Sequence, residues 1–218
     1  MKETPILFKP EMIRAILSGQ KTQARRLMKV QPPDGRYKIA TCISTTGDKR
    51  NEGKHHWMLT KPDGYTVIDG SQPYWSVPYG RKGDLLWVRE TVVTLLVEDL
   101  RYKADGKWFY PSTEEERRWV WKQNTCRNIP PIHMPKWACR IWLELTADPI
   151  PQRLQEISRA DAHAEGFEPG ANGLESWNGR CYGNAQLAFK ACIESINGPG
   201  TWEKNPWVWK LKFKRIEK

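Results

Sequence analysis

The chain has 218 residues and is basic: 35 Lys and Arg stand against 25 Asp and Glu, for a net charge of +10 and a pI near 9.4. Apolar residues are 39% of the total and include twelve tryptophans, so a folded, aromatic-rich core is expected and a disordered chain is excluded. No apolar run approaches membrane-spanning length, MKETPILFKP lacks the layout of a leader, and five cysteines without regular spacing exclude a disulfide framework; a cytoplasmic protein without membrane contact is predicted.

In chain order, Thr4 to Phe8 is a short apolar stretch between Pro5 and Pro10 and reads as an edge strand. PEMIRAILSGQKTQARR, Pro10 to Arg26, then predicts a helix. Pro10 suits the first helical position, Glu11 complements the positive end of the dipole, and Met12, Ile13, Ile16 and Leu17 share a face. Gly19 can adopt the left-handed geometry that ends a helix, which puts Lys21, Thr22, Arg25 and Arg26 on an exposed turn or the start of a strand. A lysine, a hydroxyl and two guanidiniums presented together suit an anionic or nucleotide-like ligand; a solvated basic loop is the alternative. From Lys9 to Lys38 eight basic residues stand against Glu11 and Asp34. Release of counterions from phosphates makes RNA or a nucleotide the expected partner of such a surface, and no long basic amphipathic helix favours a membrane instead.

From Gln31 to about Tyr79 the text is irregular and rich in Pro and Gly, an insertion of hairpins and loops with strand-like pieces at Tyr37–Ile43 and Tyr65–Ile68 and a turn at Pro62-Asp63-Gly64. It reads as a lid, a substrate-binding arm or a decoration, with His55-His56 on an exposed loop. Gly83-Asp84 precedes a central strand, Leu85 to Glu90, and Thr91 to Val97 continues or pairs with it. A second insertion, about 98–135, holds a hairpin around Ala104-Asp105-Gly106 and a helix in TEEERRWVWK capped by Ser112 or Thr113. Trp137 to Thr146 alternates as a strand, Ser158 caps a short helix that runs past Asp161 to Gly166, and Asn184 to Ile196 is a further helix. Pro206 to Ile216 is the clearest strand. With five to seven strands, three or four short helices and no βαβ rhythm, the expected fold is a single α+β domain built on a small mixed β-barrel flanked by short helices.

Four blocks carry a family likeness: PILFKPEMIRAILSGQKTQARR (5–26), KGDLLWVRET (82–91), IHMPKWACRIWLELTADPIPQRLQEISRADAHAEG (132–166) and NPWVWKLKF (205–213). They resemble the ASCH domain, a branch of the PUA-like β-barrels, and most closely its larger phage- and prophage-encoded members. The resemblance implies a PUA-like barrel and an RNA- or nucleoside-linked role. It also implies two known activities: hydrolysis of the acyl amide of N4-acetylcytidine by a lysine, a threonine and a glutamate, and ribonuclease action or plain RNA binding. Carried over by motif, the lysine is Lys21 and the glutamate is Glu165, whereas the threonine position holds Ala24.

Amide hydrolysis requires a nucleophile, a base and an acid for the leaving amine. Lys21 suits the base if its neighbours lower its pKa and Glu165 the acid if apolar surroundings raise its own; Ala24 offers no nucleophile. Thr22 would sit about 6.5 Å along an extended chain from position 24, too far for a simple substitute. A water activated by Lys21 and Glu165 is the remaining route. The expected function is therefore RNA or modified-nucleoside binding through Thr22, Arg25, Arg26 and Arg89 around Lys21 and Glu165, with residual hydrolase activity. The alternatives are an active amidohydrolase or ribonuclease, and a phage accessory protein that binds other proteins. Arg89 and Glu90, at a strand end, line the same cavity or form a structural ion pair. His163 lies near Glu165 in sequence but on another helix face. Cys126, His133 and Cys139 match no zinc spacing, and neither metal nor cofactor is expected.

Overall fold

The alternation of Trp209, Leu211 and Phe213 with Lys210, Lys212 and Lys214 produces one ten-residue strand, Trp207–Ile216, and the main sheet is arranged on its two edges. The computed structural model describes residues 1–32, 37–41, 54–68, 74–94, 100–123, 128–169, 174–177 and 179–218, with the backbone alone at 168–169. In chain order the first elements are β1 (Glu3–Leu7), α1 (Pro10–Leu17), β2 (Gln23–Leu27), β3 (Tyr37–Thr41), β4 (His55–Thr60), β5 (Thr66–Ile68) and β6 (Leu85–Arg89). Next come β7 (Val92–Thr94), β8 (Leu100–Tyr102), β9 (Trp108–Phe109), α2 (Glu114–Lys122), β10 (Asn128–Ile129), β11 (Trp142–Leu145) and β12 (Ile150–Arg153). The chain ends with α3 (Arg159–Ala164), β13 (Glu168–Pro169), β14 (Glu175–Trp177), β15 (Arg180–Tyr182), α4 (Ala185–Asn197), α5 (Thr201–Lys204) and β16 (Trp207–Ile216).

β1 lies parallel to β6, β6 antiparallel to β11, and β11 antiparallel to the second half of β16. The first half of β16 has partners on both sides: Val208 faces Gln152 of β12 and Leu27 of β2. The six strands curl into a half-barrel, as expected of a small α+β barrel. Its interior is filled by Ile6, Leu86, Val88, Leu143, Trp209 and Leu211, and Ile13 and Ile16 of α1 close it from one side. Full burial of such side chains is worth about 1.5–3 kcal/mol each. Val208 points the other way, into a second apolar cluster where Ala162 of α3 and Phe189 and Ile193 of α4 cover the sheet's outer face.

The local signals account for most boundaries. Pro10 opens α1, and Gly19, at φ +81°, follows its end. Thr113 and Glu116 form a reciprocal capping box at α2, Ser158 caps α3 and Asn184 caps α4. The Pro62-Asp63-Gly64 turn joins β4 to β5 with Gly64 at φ +84°. β8 and β9 form the hairpin around Asp105 and sit in a four-stranded sheet with β7 and β10, backed by Val120 of α2. Residues 95–97, the end of the strand expected from Thr91, lie outside the described residues.

Three expectations are corrected. Trp137–Thr146 is a strand only from Trp142; Lys136–Ala138 is a 3-10 turn entered through extended Pro135, and Trp137 and Ala138 pack against the β7–β10 sheet. Pro130, Pro131 and Pro135 turn the chain here, the backbone bonds of Ala138 and Cys139 are local turn bonds, and pairing with β6 begins only at Ile141, whose carbonyl accepts from Val88 N–H. His55 and His56 are not on an exposed loop. They are buried in β4, which pairs with both β3 and β5, and burial pushes both imidazole pKa values down. Trp57, set against Trp75 and Trp207 at ring distances of 5.0 and 5.8 Å, draws this strand inward. Among the described residues there are sixteen strands against the five to seven expected, because two- and three-residue strands are too short to show a period.

Candidate functional site

The site forms where the start of β2 meets the end of α3. After Gly19 the chain turns back: Lys21 N–H donates to Ala15 O at 2.9 Å, and Thr22 N–H donates to Ala164 O at 2.8 Å, tying β2 to the last turns of both helices. Alternation along β2 then sends Arg25 to one side and Ala24 and Arg26 to the other. On α3, Asp161 and Glu165 are four apart and face the same way, toward β2. Gly166 lets the end of α3 approach α1 and Lys21. It has φ +95°, and a Cβ there would lie 2.7 Å from Ala15 Cβ and 3.3 Å from Lys21 Cβ.

Lys21 and Arg25 are 3% and 4% exposed, so neither is a solvated surface cation. Lys21 Nζ donates to Glu165 Oε2 at 2.6 Å and to Glu165 O at 2.9 Å. Arg25 donates to the other carboxylate oxygen, Glu165 Oε1, at 3.0 Å, to Asp161 Oδ2 at 2.8 Å, and through two nitrogens to Gln152 Oε1. Lys210, the β16 partner of Arg25 in register, reaches the same Asp161 Oδ2 at 2.7 Å. Burial pushes the Asp161 carboxyl up, but the Lys210 hydrogen bond and the Arg25 charge outweigh it and hold the group below its usual value. Three cations, Lys21, Arg25 and Lys210, thus face two carboxylates, and the cluster carries a surplus positive charge. Lys21 commits two of its three donors here and keeps one.

Beside the cluster is a cavity of about 40 Å³, lined by Lys21, Ala24, Arg26 and Glu165 and walled by Phe8 and by Phe189 and Cys192 of α4. Arg26 stacks over the Phe8 ring at 4.7 Å and donates to Leu7 O. The volume admits water and is far below the roughly 150 Å³ of a cavity that takes up benzene. Ala24, 2% exposed, lines the same cavity as Lys21 and Glu165. Thr22 is exposed and does not line the cavity, so its hydroxyl is no substitute.

Of the residues expected at the site, Lys21, Arg25, Arg26 and Glu165 are brought together. Arg89 is not: it donates to Met134 O at 3.1 Å and to Ile132 O and covers the Trp87 ring. Glu90 is paired with Arg140 through both carboxylate oxygens, at 2.9 and 2.8 Å, and Arg140 also holds Asp105, a lock between the half-barrel and the β7–β10 sheet. His163 turns away from Glu165, toward Glu175 at 3.4 Å and Phe167 O at 3.0 Å. Cys139 bonds to Ile141 O, and Cys126 lies outside the described residues. The sequence reading missed Asp161, Gln152 and Lys210 as members of the cluster. The Asp161–Glu165 spacing was the one signal available; Gln152 and Lys210 join only through strand register.

No family model, curated protein or solved structure matches the chain.

Proposed function

We propose that this protein is an ASCH-like, PUA-like binder of RNA or of a modified nucleoside, in which Lys21, Arg25, Arg26 and Glu165 recognise the ligand and Ala24 leaves acyl-amide hydrolysis without a nucleophile. The observation that carries the reading is the grip of Lys21 and Arg25 on the two oxygens of Glu165, beside a cavity floored by Ala24. A lysine held in this way presents hydrogen-bond donors to the cluster. The remaining Lys21 donor, the Arg26 guanidinium and the surplus charge favour an electron-rich group such as a base carbonyl or a phosphate. The rings of Phe8 and Phe189 provide faces for a base. A nucleoside exceeds the volume of this partly open cavity, so binding requires the α4 wall to move away from β2.

Calorimetric titration of the protein with cytidine, N4-acetylcytidine and a short RNA, at two salt concentrations, tests the proposal. Saturable, salt-sensitive binding of at least one is expected; no binding of any overturns it. Chromatography of the N4-acetylcytidine mixture tests the second reading, in which a water in the cavity attacks slowly. Release of cytidine would make the protein a hydrolase despite Ala24.

A further inference from the structure

We infer that the groove passing on both sides of Trp177 is a track for single-stranded nucleic acid, separate from the buried cavity. Two open clefts of about 400 and 440 Å³ meet at this residue and share Glu11 as a second lining group. Either one is in the range that ligand sites occupy, and each is about ten times the volume of the cavity beside Lys21. One wall is α1 and the other is the β14–β15 hairpin, which holds Trp177 and Arg180 opposite each other in register. Gly166, the neighbour of Glu165, lines the first cleft, so the groove runs directly behind the buried cluster.

The chemistry of the lining is that of a strand-binding surface. Trp177 is half-buried, backed by the Phe167 ring at 6.3 Å, and its remaining surface borders both clefts. Tyr182, also half-buried, lies in the second cleft two strand positions from Arg180. Half-buried rings stack on unpaired bases whatever their identity, because every base has a π-face. Around them Lys9, Arg14 and Arg180 stand against Glu11 alone, an excess that suits a phosphate backbone. Arg180 is exposed and takes part in no hydrogen bond or ion pair among the described residues, so its guanidinium is available to a phosphate. Lys9 and Arg14 are oriented by bonds to Ser195 and to Ala104 O. A double helix cannot offer a base to Trp177 without unpairing, which selects single strands.

The inference rests on the nucleic-acid reading of the protein and adds a second contact surface to it. Fluorescence anisotropy with labelled single-stranded RNA and DNA of about a dozen nucleotides, beside calorimetry with a single nucleoside, separates the two. Trp177→Leu and Arg180→Glu are each expected to weaken oligonucleotide binding about tenfold or more and to leave nucleoside binding unchanged; Trp177→Phe keeps most of the affinity, and Glu11→Gln raises it. Arg180→Glu is an exposed change and tests the charge without disturbing the core. Variant-sensitive binding of either strand supports the inference, and the tighter strand identifies the natural one. Oligonucleotide binding that the groove variants do not change, while nucleoside binding is retained, overturns the track and leaves the cavity reading standing. Absence of binding to both nucleoside and oligonucleotide overturns both. A preference for an acidic peptide over either strand overturns the track in favour of a protein partner.

Discussion

Arg25 and Lys210 stand directly opposite each other in the β2–β16 pair, and both donate to one oxygen, Asp161 Oδ2, at 2.8 and 2.7 Å. Like charges at directly opposed positions destabilise a sheet. Here a carboxylate delivered from α3 turns the repulsion into a bridge, so the packing of α3 on the sheet and the pairing of two strands depend on the same group.

That dependence has a sign in pH. The folded Asp161 carboxyl lies below its unfolded value near 3.8, so the stability it contributes is full above that value and is lost as pH falls through the lower folded one. Urea midpoints of wild type and Asp161→Asn, measured from about pH 6 to about pH 2, are expected to differ most at the upper end and to converge at the lower. A gap that stays constant with pH would remove Asp161 ionisation from the account.

Lys21 and Glu165 have side chains only 1% and 4% exposed, so removing Glu165 leaves Lys21 without a carboxylate, whereas removing Lys21 leaves Glu165 paired with Arg25. Glu165→Leu should destabilise the fold by about 3–5 kcal/mol, whereas Glu165→Leu combined with Lys21→Met should recover part of that loss. Thermal and denaturant unfolding of the two singles and the double give the coupling directly. Additive effects would mean that the contact is incidental.

Ala24→Thr places a hydroxyl at the cavity lining. It adds volume at a site 2% exposed, at an expected cost of about 1–3 kcal/mol in stability. In return, chromatography should detect cytidine from N4-acetylcytidine with Ala24→Thr and not with wild type or Ala24→Val, which has a similar shape and no hydroxyl. Equal turnover by the Val variant would rule out the hydroxyl as the cause.

Cys192 reports whether the α4 wall moves. Burial pushes its thiol up to about 12 against the opposing pull of the Lys21 charge, and it is 1% exposed. With a neutral alkylating reagent followed by peptide mass spectrometry, Cys192 should react at least about a hundredfold more slowly than exposed Cys181. A saturating nucleoside that enters the cavity should change the Cys192 rate and leave that of Cys181 alone.

Gly166→Ala tests the close approach of the end of α3 to α1. With φ +95° and a Cβ 2.7 Å from that of Ala15, the substitution should cost more than about 1 kcal/mol, read as a lowered melting temperature. Pairing it with Ala15→Gly, which removes the nearest atom, should recover the steric part and leave the backbone part.

Much of the fold was legible because its signals are local. Pro10 and Gly19 bracket α1, Ser158 and Asn184 start α3 and α4, and the alternation from Trp207 to Phe213 names both faces of β16. The reading failed where a residue's meaning depends on a distant neighbour. His55 and His56 read as polar loop until β4 is paired on both sides, and the first half of Trp137–Thr146 read as strand although it forms a 3-10 turn packed on the β7–β10 sheet.

The candidate site divides along the same line. Sequence alone determined that Lys21, Arg25 and Arg26 are grouped after a helix stop, that Glu165 ends a capped helix, and that Ala24 has no hydroxyl. Tertiary structure decided that Lys21 and Arg25 are buried, that Asp161, Gln152 and Lys210 join them, and that Arg89 goes elsewhere. The physical reason is that a charge can leave water only where opposite charges and hydrogen-bond partners converge on it. That convergence is made by strand register and by the packing of α3 and α4 against the sheet, between residues 144 positions apart in the case of Lys21 and Glu165.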